Sequence, residues 1–241
     1  MKEALGIIPA RYHSRRFPGK PLALINHKPL IQRVYERAKT SKYLNRVIVA
    51  TDDEKIFKTC QAIGAEVWLT APTHNSGTER AAEVAAKIKT PIIINIQGDE
   101  PLINGEMIDE LVTVLEDESI PMATLAARIS DLSLLKEENI VKVVVDHEGF
   151  ALYFSRSPLP SHPIDYFLQH IGIYGYQRNF LLRFQSLKPS RLEKTERLEQ
   201  LRALESGYRI KIVEFPFPTL SVDTPQDIIK VEKYLKEKED E

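Results

Sequence analysis

Four cations stand close together in Pro9-Ala-Arg-Tyr-His-Ser-Arg-Arg-Phe-Pro-Gly-Lys20, namely Arg11, Arg15, Arg16 and Lys20. Guanidinium forks grip phosphate oxygens in pairs and an ammonium adds a compact charge, so the cluster suits a polyphosphate. Gly19 beside them is expected to let backbone amides approach a ligand closely. Spacing alone fits a solvated basic loop equally well, and neither G-x-x-x-x-G-K-[ST] nor G-x-G-x-x-G is present. A second feature is Asn95-Ile-Gln-Gly-Asp-Glu-Pro101, where Asp99 and Glu100 follow an apolar run and a glycine. Hard carboxylate oxygens there suit Mg²⁺ shared with substrate phosphates. The other reading of that segment is a plain Gly-Asp turn with Glu100 capping the next helix. A third carboxylate, Asp223, lies in Leu220-Ser-Val-Asp-Thr-Pro225; alone, it reads as a cap or turn residue more readily than as a ligand.

Loops hold such groups only if regular elements carry them. Leu5 to Pro9, Val47 to Ala50, Val67 to Leu69, Ile92 to Ile96 and Met122 to Ala127 are strand-like. The first four are near-continuous apolar runs, the pattern of parallel strands buried on both faces. Between them, Pro29 to Lys39 places Ile31, Val34, Tyr35 and Ala38 at helical spacing, and Asp52 is expected to cap a helix that runs to Ile63 and stops at Gly64. Ser76 and Glu79 fit a capping box ahead of the helix-forming AAEVAAKI. This alternation predicts an α/β fold with a mostly parallel open sheet, whose ligands sit beyond the carboxyl ends of the strands. The basic loop and Asp99 both follow strands.

After Asn139 the pattern changes. VKVVVDHEGFALYFSR reads as a β-hairpin turning at Asp146-His147-Glu148-Gly149, foreign to a purely parallel sheet. A strand from Ile171 to Tyr176, a helix from Leu192 to Glu205 ending at Gly207, a strand from Ile210 to Phe215 and a helix from Pro225 to Leu235 complete the prediction. The last helix has Thr224 as N-cap, Pro225 first and Asp227 third. One domain over 1–241 is expected, with a β-rich region at 141–176 and a frayed charged tail at 236–241.

Composition excludes several classes. With 33 Lys+Arg against 34 Asp+Glu in 241 residues, the net charge of -1 gives no global field for nucleic acid. The 43% hydrophobic and 28% charged content is that of a globular protein. A single cysteine, Cys60, excludes an intramolecular disulfide and any zinc site of two or more thiolates, and a reduced thiol fits the cytoplasm. Its neighbours Ile56, Phe57 and Ile63 mark it as buried and inert. No run of about 18 apolar residues predicts a membrane helix, and the N-terminus lacks the charge-then-apolar order of a signal peptide. His13, His27, His74, His147 and His162 show no ligand spacing.

Along nearly the whole chain, in order, IPARYHSRRFPGKPL, ATDDEKI, SGTER, NIQGDEP, ALYFSR, HIGIYGY, LEQLRALESG and VDTPQDI resemble the 3-deoxy-manno-octulosonate cytidylyltransferases, the CMP-Kdo synthetase family of lipopolysaccharide-making bacteria. The resemblance implies a nucleotide-binding, Rossmann-like fold of the nucleotide-diphospho-sugar transferase kind, working as a homodimer with Mg²⁺ and joining CTP to Kdo with release of pyrophosphate. It implies that Arg11, Arg16 and Lys20 hold the CTP phosphates, that Ser76, Gly77 and Thr78 help form the cytosine pocket, and that Asp99 and Asp223 ligate the metal. It places the sugar acid against Gln97, Arg156, His170, Tyr174, Glu199 and Gln200. Arg156 and His170 then suit the carboxylate, and Tyr174, Glu199 and Gln200 the hydroxyls. Arg11, Lys20 and Asp99 carry catalysis in this reading.

The chain departs from that pattern at Arg15, where a small polar residue is expected, and in the short stretch Ser157 to Gln169 between ALYFSR and HIGIYGY. A sialic acid cytidylyltransferase is the near alternative and a non-catalytic nucleotide-sugar binder the distant one. HIGIYGY with LEQLRALESG disfavours the first; the pairing of Asp99 with Asp223 disfavours the second.

Overall fold

Ile92–Ile96 is buried at every residue and Ala4–Ala10 at six of seven, so neither strand keeps a solvent face. The computed structural model describes residues 3–13, 16–163 and 165–239. Arg15, with its unexpected charge, lies outside them. The chain divides into two compact units, Met1–Asp109 with Thr219–Glu241, and Glu110–Pro218. The β-rich stretch 141–176 falls within the second.

The first unit contains β1 (Ala4–Ala10), β2 (Leu24–Ile25), β3 (Lys28–Pro29), α1 (Leu30–Ala38), β4 (Leu44–Thr51), α2 (Glu54–Ala62), β5 (Val67–Leu69), α3 (Gly77–Lys87) and β6 (Ile92–Ile96). Its sheet has the order β6-β1-β4-β5, parallel throughout. Ile7, Ile8, Ile48, Val49, Ile93 and Ile94 are wholly buried and form its centre. β5 differs from expectation, because it is the edge strand and its Leu69 stays exposed. Parallel pairing brings the loops after β1, β4 and β6 to one edge.

Two caps also differ. Asp53, not Asp52, caps α2, accepting from the amides of Lys55 at 2.8 Å and Ile56 at 3.0 Å. Asp52 instead pairs with Arg80 at 3.0 Å. The capping box at α3 is half made: Ser76 Oγ accepts from Glu79 N, but Glu79 reaches back to Asn75 N, one residue beyond the cap. α2 closes as expected at Gly64, whose φ of 72° only glycine adopts without strain. Cys60 beneath it is buried, and burial pushes its thiol up to about 11.

α4 (Gly105–Val114) carries the chain on to the second unit, which contains β7 (Met122–Ile129), β8 (Lys142–Val145), β9 (Ala151–Ser155), β10 (Phe167–Gln177), α5 (Arg178–Phe184), α6 (Arg191–Glu196), α7 (Leu201–Glu205) and β11 (Ile210–Phe215). Here the sheet is mixed: β11 runs parallel to β7, while β7–β10, β10–β8 and β8–β9 are antiparallel. The hairpin is therefore β8 and β9, turning where Asp146 Oδ1 accepts from the amides of Glu148 and Phe150.

The helix expected from Leu192 to Glu205 is two. Arg197 turns left-handed at φ 57° and ends α6, and α7 starts again at Leu201. Neither glycine nor proline marks the break, so no helix-stop residue reveals it in the sequence. The break puts Glu199 and Gln200 on a turn.

The final helix, α8 (Pro225–Glu239), belongs to the first unit. Its cap works in reverse of expectation, for Asp227 Oδ2 accepts from both the amide and the hydroxyl of Thr224. It runs four residues into the stretch expected to fray, helped by Lys and Glu pairs such as Lys233 with Glu237 at 3.8 Å; residues 240 and 241 lie outside the described residues. No helix among the described residues is long and apolar enough to cross a membrane.

Candidate functional site

The carboxyl edge of the first sheet opens into a cleft of about 210 Å³, its walls including Arg11, Arg16, Lys20, Gln97, Asp99 and Asp223. Arg11 follows β1 directly and is exposed. The loop behind it is closed by its own backbone, since Gly19 N donates to Tyr12 O at 2.8 Å. Gly19 therefore does not offer its amide to a ligand, as its position had suggested. Its φ of 72° turns the chain into the short helical turn that starts at Lys20.

Lys20 is the hub of this edge. Its ammonium donates to Asp99 Oδ2 at 2.7 Å and to the Val222 carbonyl at 2.9 Å, and lies 3.5 Å from Asp223 Oδ1. Arg16 Nη2 pairs with the same Asp223 oxygen at 2.9 Å. The Val222 amide donates to the Asp99 carbonyl at 2.8 Å, which fixes the two acidic segments side by side. Asp99 and Asp223, more than a hundred residues apart, thus converge on one cation. Two hard carboxylate oxygens meeting at a point fit Mg²⁺, with water and phosphate oxygens supplying the other ligands. Among the described residues no cluster of three metal-binding side chains exists.

Glu100, next to Asp99, does not cap a helix. It is buried, and burial followed by the Asp99 charge pushes its carboxyl up to about 8. Its Oε2 has no hydrogen-bond partner among the described residues.

Ser76 and Gly77 line the cleft where α3 begins. Thr78 does not: it is 4% exposed and turned inward, with Asn95 Nδ2 at 3.5 Å from its Oγ1. One helical step separates a lining residue from a supporting one. Gly77 is needed small, because a Cβ there would lie 3.0 Å from Pro9 Cγ. Gln97, which the resemblance assigns to the sugar acid, also lines this cleft.

Two further lining residues went unrecognised in the sequence. Arg80 is 3% exposed and is held by Asp52 and by the Thr70 hydroxyl. His74 Nε2 lies 2.7 Å from Glu83 Oε2. SGTER contains Arg80, so the motif carried the signal; a lone histidine in a loop carries none.

The remaining expected sugar-acid residues lie in the second unit. His170 and Tyr174 are on β10, with ring centroids 5.3 Å apart, and Phe154 meets His170 edge-on at 5.3 Å. Thr124 Oγ1 donates its single hydrogen to the Ile173 carbonyl at 2.7 Å, so His170 Nε2, 2.9 Å from that oxygen, must be a donor. This sets the tautomer and leaves Nδ1 an acceptor. Burial drives the imidazole down to about 3, so it is neutral at physiological pH. A neutral ring presenting an acceptor suits a hydroxyl, not the carboxylate expected for it. Burial, followed by the charge of Glu199, raises the Tyr174 phenol well above its ordinary value and keeps it protonated.

Arg156 follows β9, its Nη1 donating to the Glu138 carbonyl at 3.0 Å. Glu199 sits on the turn between α6 and α7, 3.8 Å from Arg202. Gln200 beside it is 4% exposed, and its amide Nε2 has no partner among the described residues. An unmade buried hydrogen bond costs about 1–3 kcal/mol, which a ligand oxygen would relieve. Glu196 also went unrecognised; it accepts from Ser155 Oγ at 3.0 Å and from the Arg156 amide at 3.2 Å.

A family model described as cytidylyltransferase matches residues 5–212. A 3-deoxy-manno-octulosonate cytidylyltransferase of Geotalea daltonii is 49% identical, covering 96% of this chain and 98% of its own. That of Geobacter metallireducens is 50% identical, covering 95% and 96%. Among solved structures, CMP:2-keto-3-deoxy-manno-octonic acid synthetase complexed with CTP is similar with a TM-score of 0.92 at 42% identity, covering 98% of this chain and 99% of that one.

Proposed function

The chain belongs to the 3-deoxy-manno-octulosonate cytidylyltransferases within the cytidylyltransferase family, and from that premise we propose that it couples CTP to Kdo, releasing pyrophosphate and supplying CMP-Kdo for lipopolysaccharide biosynthesis. The observation that carries this reading is the reach of the similarity, 96% of the chain with both units included. A nucleotide binder sharing only the phosphate loop would not extend it so far.

In the proposed reaction the anomeric 2-hydroxyl of Kdo attacks the α-phosphorus of CTP in line, and the bond to the pyrophosphate oxygen breaks. Such transfers depend chiefly on positioning and charge neutralisation. Arg11, Arg16 and Lys20 hold the triphosphate, and on binding Lys20 exchanges part of its carboxylate pairing for phosphate oxygens. Ser76 and Gly77 face the cytosine, with Thr78 supporting them from behind. Mg²⁺ held by Asp99 and Asp223 would neutralise phosphate charge and acidify a coordinated hydroxyl. Arg156 takes the Kdo carboxylate; His170 Nδ1, Tyr174, Glu199 and Gln200 take hydroxyls, and Gln97 serves the sugar from the cleft.

The enzyme is proposed to act in the cytoplasm as a homodimer, with no nucleic-acid or membrane partner. The hairpin supports the dimer only in part: Phe154 and Val143 are buried within this chain, while Leu152 on the outer strand β9 is 61% exposed. Sedimentation at micromolar concentration should give twice the chain mass, and an active monomer would refute the dimer. The function is tested by pyrophosphate release from CTP and Mg²⁺ with Kdo or sialic acid. Turnover with Kdo alone is expected, falling away when ATP replaces CTP; no turnover with Kdo, or equal turnover with sialic acid, would overturn it.

A further inference from the structure

Lys142 on β8 is completely buried, and burying an ammonium is costly unless its donors are satisfied. Among the described residues its hydrogen-bond partners are three backbone carbonyls: Glu137 at 2.9 Å, Ile140 at 2.8 Å and Arg156 at 2.6 Å. An ammonium has three N–H groups, so the set is saturated. Burial, followed by the charge of Arg156, lowers its pKa. An uncharged side chain of similar length would fill the space without that cost. What the cation adds is three directed donors.

Those donors tie together the groups that hold Arg156. Two go to the loop 137–140, and within that loop the Glu138 carbonyl accepts from Arg156 Nη1. The third goes to the carbonyl of Arg156 itself, while its amide donates to Glu196. Glu196 is set in turn by the Tyr153 hydroxyl at 3.2 Å and Ser155 Oγ at 3.0 Å. The peptide groups on both sides of the Arg156 Cα are thus pinned, and its guanidinium rests on the loop that the ammonium organises. Among the described residues that Glu138 contact engages only Nη1 of the fork, leaving other N–H groups for a ligand.

We propose that Lys142 is a positioning residue for the sugar-acid site, fixing together with Glu196 the backbone and guanidinium of Arg156 so that the fork is preset for a carboxylate. The proposal rests on the reading of Arg156 as the carboxylate partner. It is tested by steady-state kinetics with Kdo and with its C1 amide, comparing wild type, Lys142→Met, Arg156→Gln and Glu196→Gln. Lys142→Met is expected to raise the KM for Kdo about 10- to 100-fold, to leave the KM for CTP within about twofold, and to abolish the preference for acid over amide. A merely structural loss would shift both substrates and keep that preference. If Lys142→Met keeps the preference while Arg156→Gln loses it, the proposal is overturned and the role of Arg156 stands. If Arg156→Gln keeps the preference, the reading of Arg156 falls and the proposal with it. Should Lys142→Met fail to fold by circular dichroism, Glu196→Gln decides: a weakened preference with an unchanged KM for CTP is expected, and an unchanged preference refutes the proposal.

Discussion

In the first unit the groups proposed to hold the nucleotide are charged and reach water. Arg16 is 63% exposed and Asp223 33% exposed in their ion pair, and Lys20 divides its ammonium between two carboxylates. In the second unit several groups proposed for the sugar acid are neutral and desolvated: an imidazole held down at about 3, a phenol kept protonated, and a buried amide with no partner among the described residues. The contrast matches two tasks. A triphosphate is bound by charge, and pre-formed ion pairs keep such charges in place until phosphate oxygens replace their partners. A polyhydroxy acid is distinguished from its relatives by hydroxyl geometry, and buried directional hydrogen bonds reject a poor match far more strongly than charge does.

The contrast breaks first at the carboxylates. Asp99→Asn should lower turnover about 100-fold or more, because metal stabilisation of phosphate charge is worth several kcal/mol, and Asp223→Asn should behave alike. Near wild-type rates for both at saturating Mg²⁺ would remove the metal site from the account.

A smaller effect tests the desolvated half. His170 is neutral when folded down to about pH 3 but takes a proton near pH 6.5 when unfolded. Its contribution to stability is complete above pH 6.5 and is lost as pH falls towards 3, at up to about 1.4 kcal/mol per pH unit. His170→Gln keeps an N–H for Thr124 and removes the titration, so between pH 7 and pH 5 the variant should lose about 2 kcal/mol less than wild type in urea denaturation. Parallel losses would mean that the imidazole is not desolvated.

The smallest effect separates the substrates. Lys20→Ala should weaken CTP binding about 10-fold or more in calorimetry, while Glu199→Ala raises the KM for Kdo about 10-fold and leaves CTP affinity intact. A Glu199→Ala protein that loses CTP affinity would abolish the division of labour.

How far the sequence disclosed this division follows from what each part depends on. Strands such as Ile92–Ile96 and the hairpin at Asp146–Gly149 were legible because burial on both faces and turn chemistry are local properties. Asp99 was legible as a carboxylate after a strand, but its meeting with Asp223 at Lys20 depends on the return of the chain to the first unit, which no local pattern encodes. The break at Arg197 was hidden because neither glycine nor proline marks it. The inward turn of Thr78 and the tautomer of His170 are side-chain outcomes, set by Asn95 and Thr124 from other elements. Motif resemblance named His170 as a candidate, but its neutral, desolvated ring depends on what packs around it, which no motif states.

The most direct test of the whole account is ³¹P NMR of the purified protein turning over CTP and Mg²⁺ with Kdo. The account predicts a new CMP phosphodiester signal and pyrophosphate in one-to-one proportion, with no such signal when sialic acid replaces Kdo. Pyrophosphate without the phosphodiester, or equal phosphodiester from sialic acid, would contradict it.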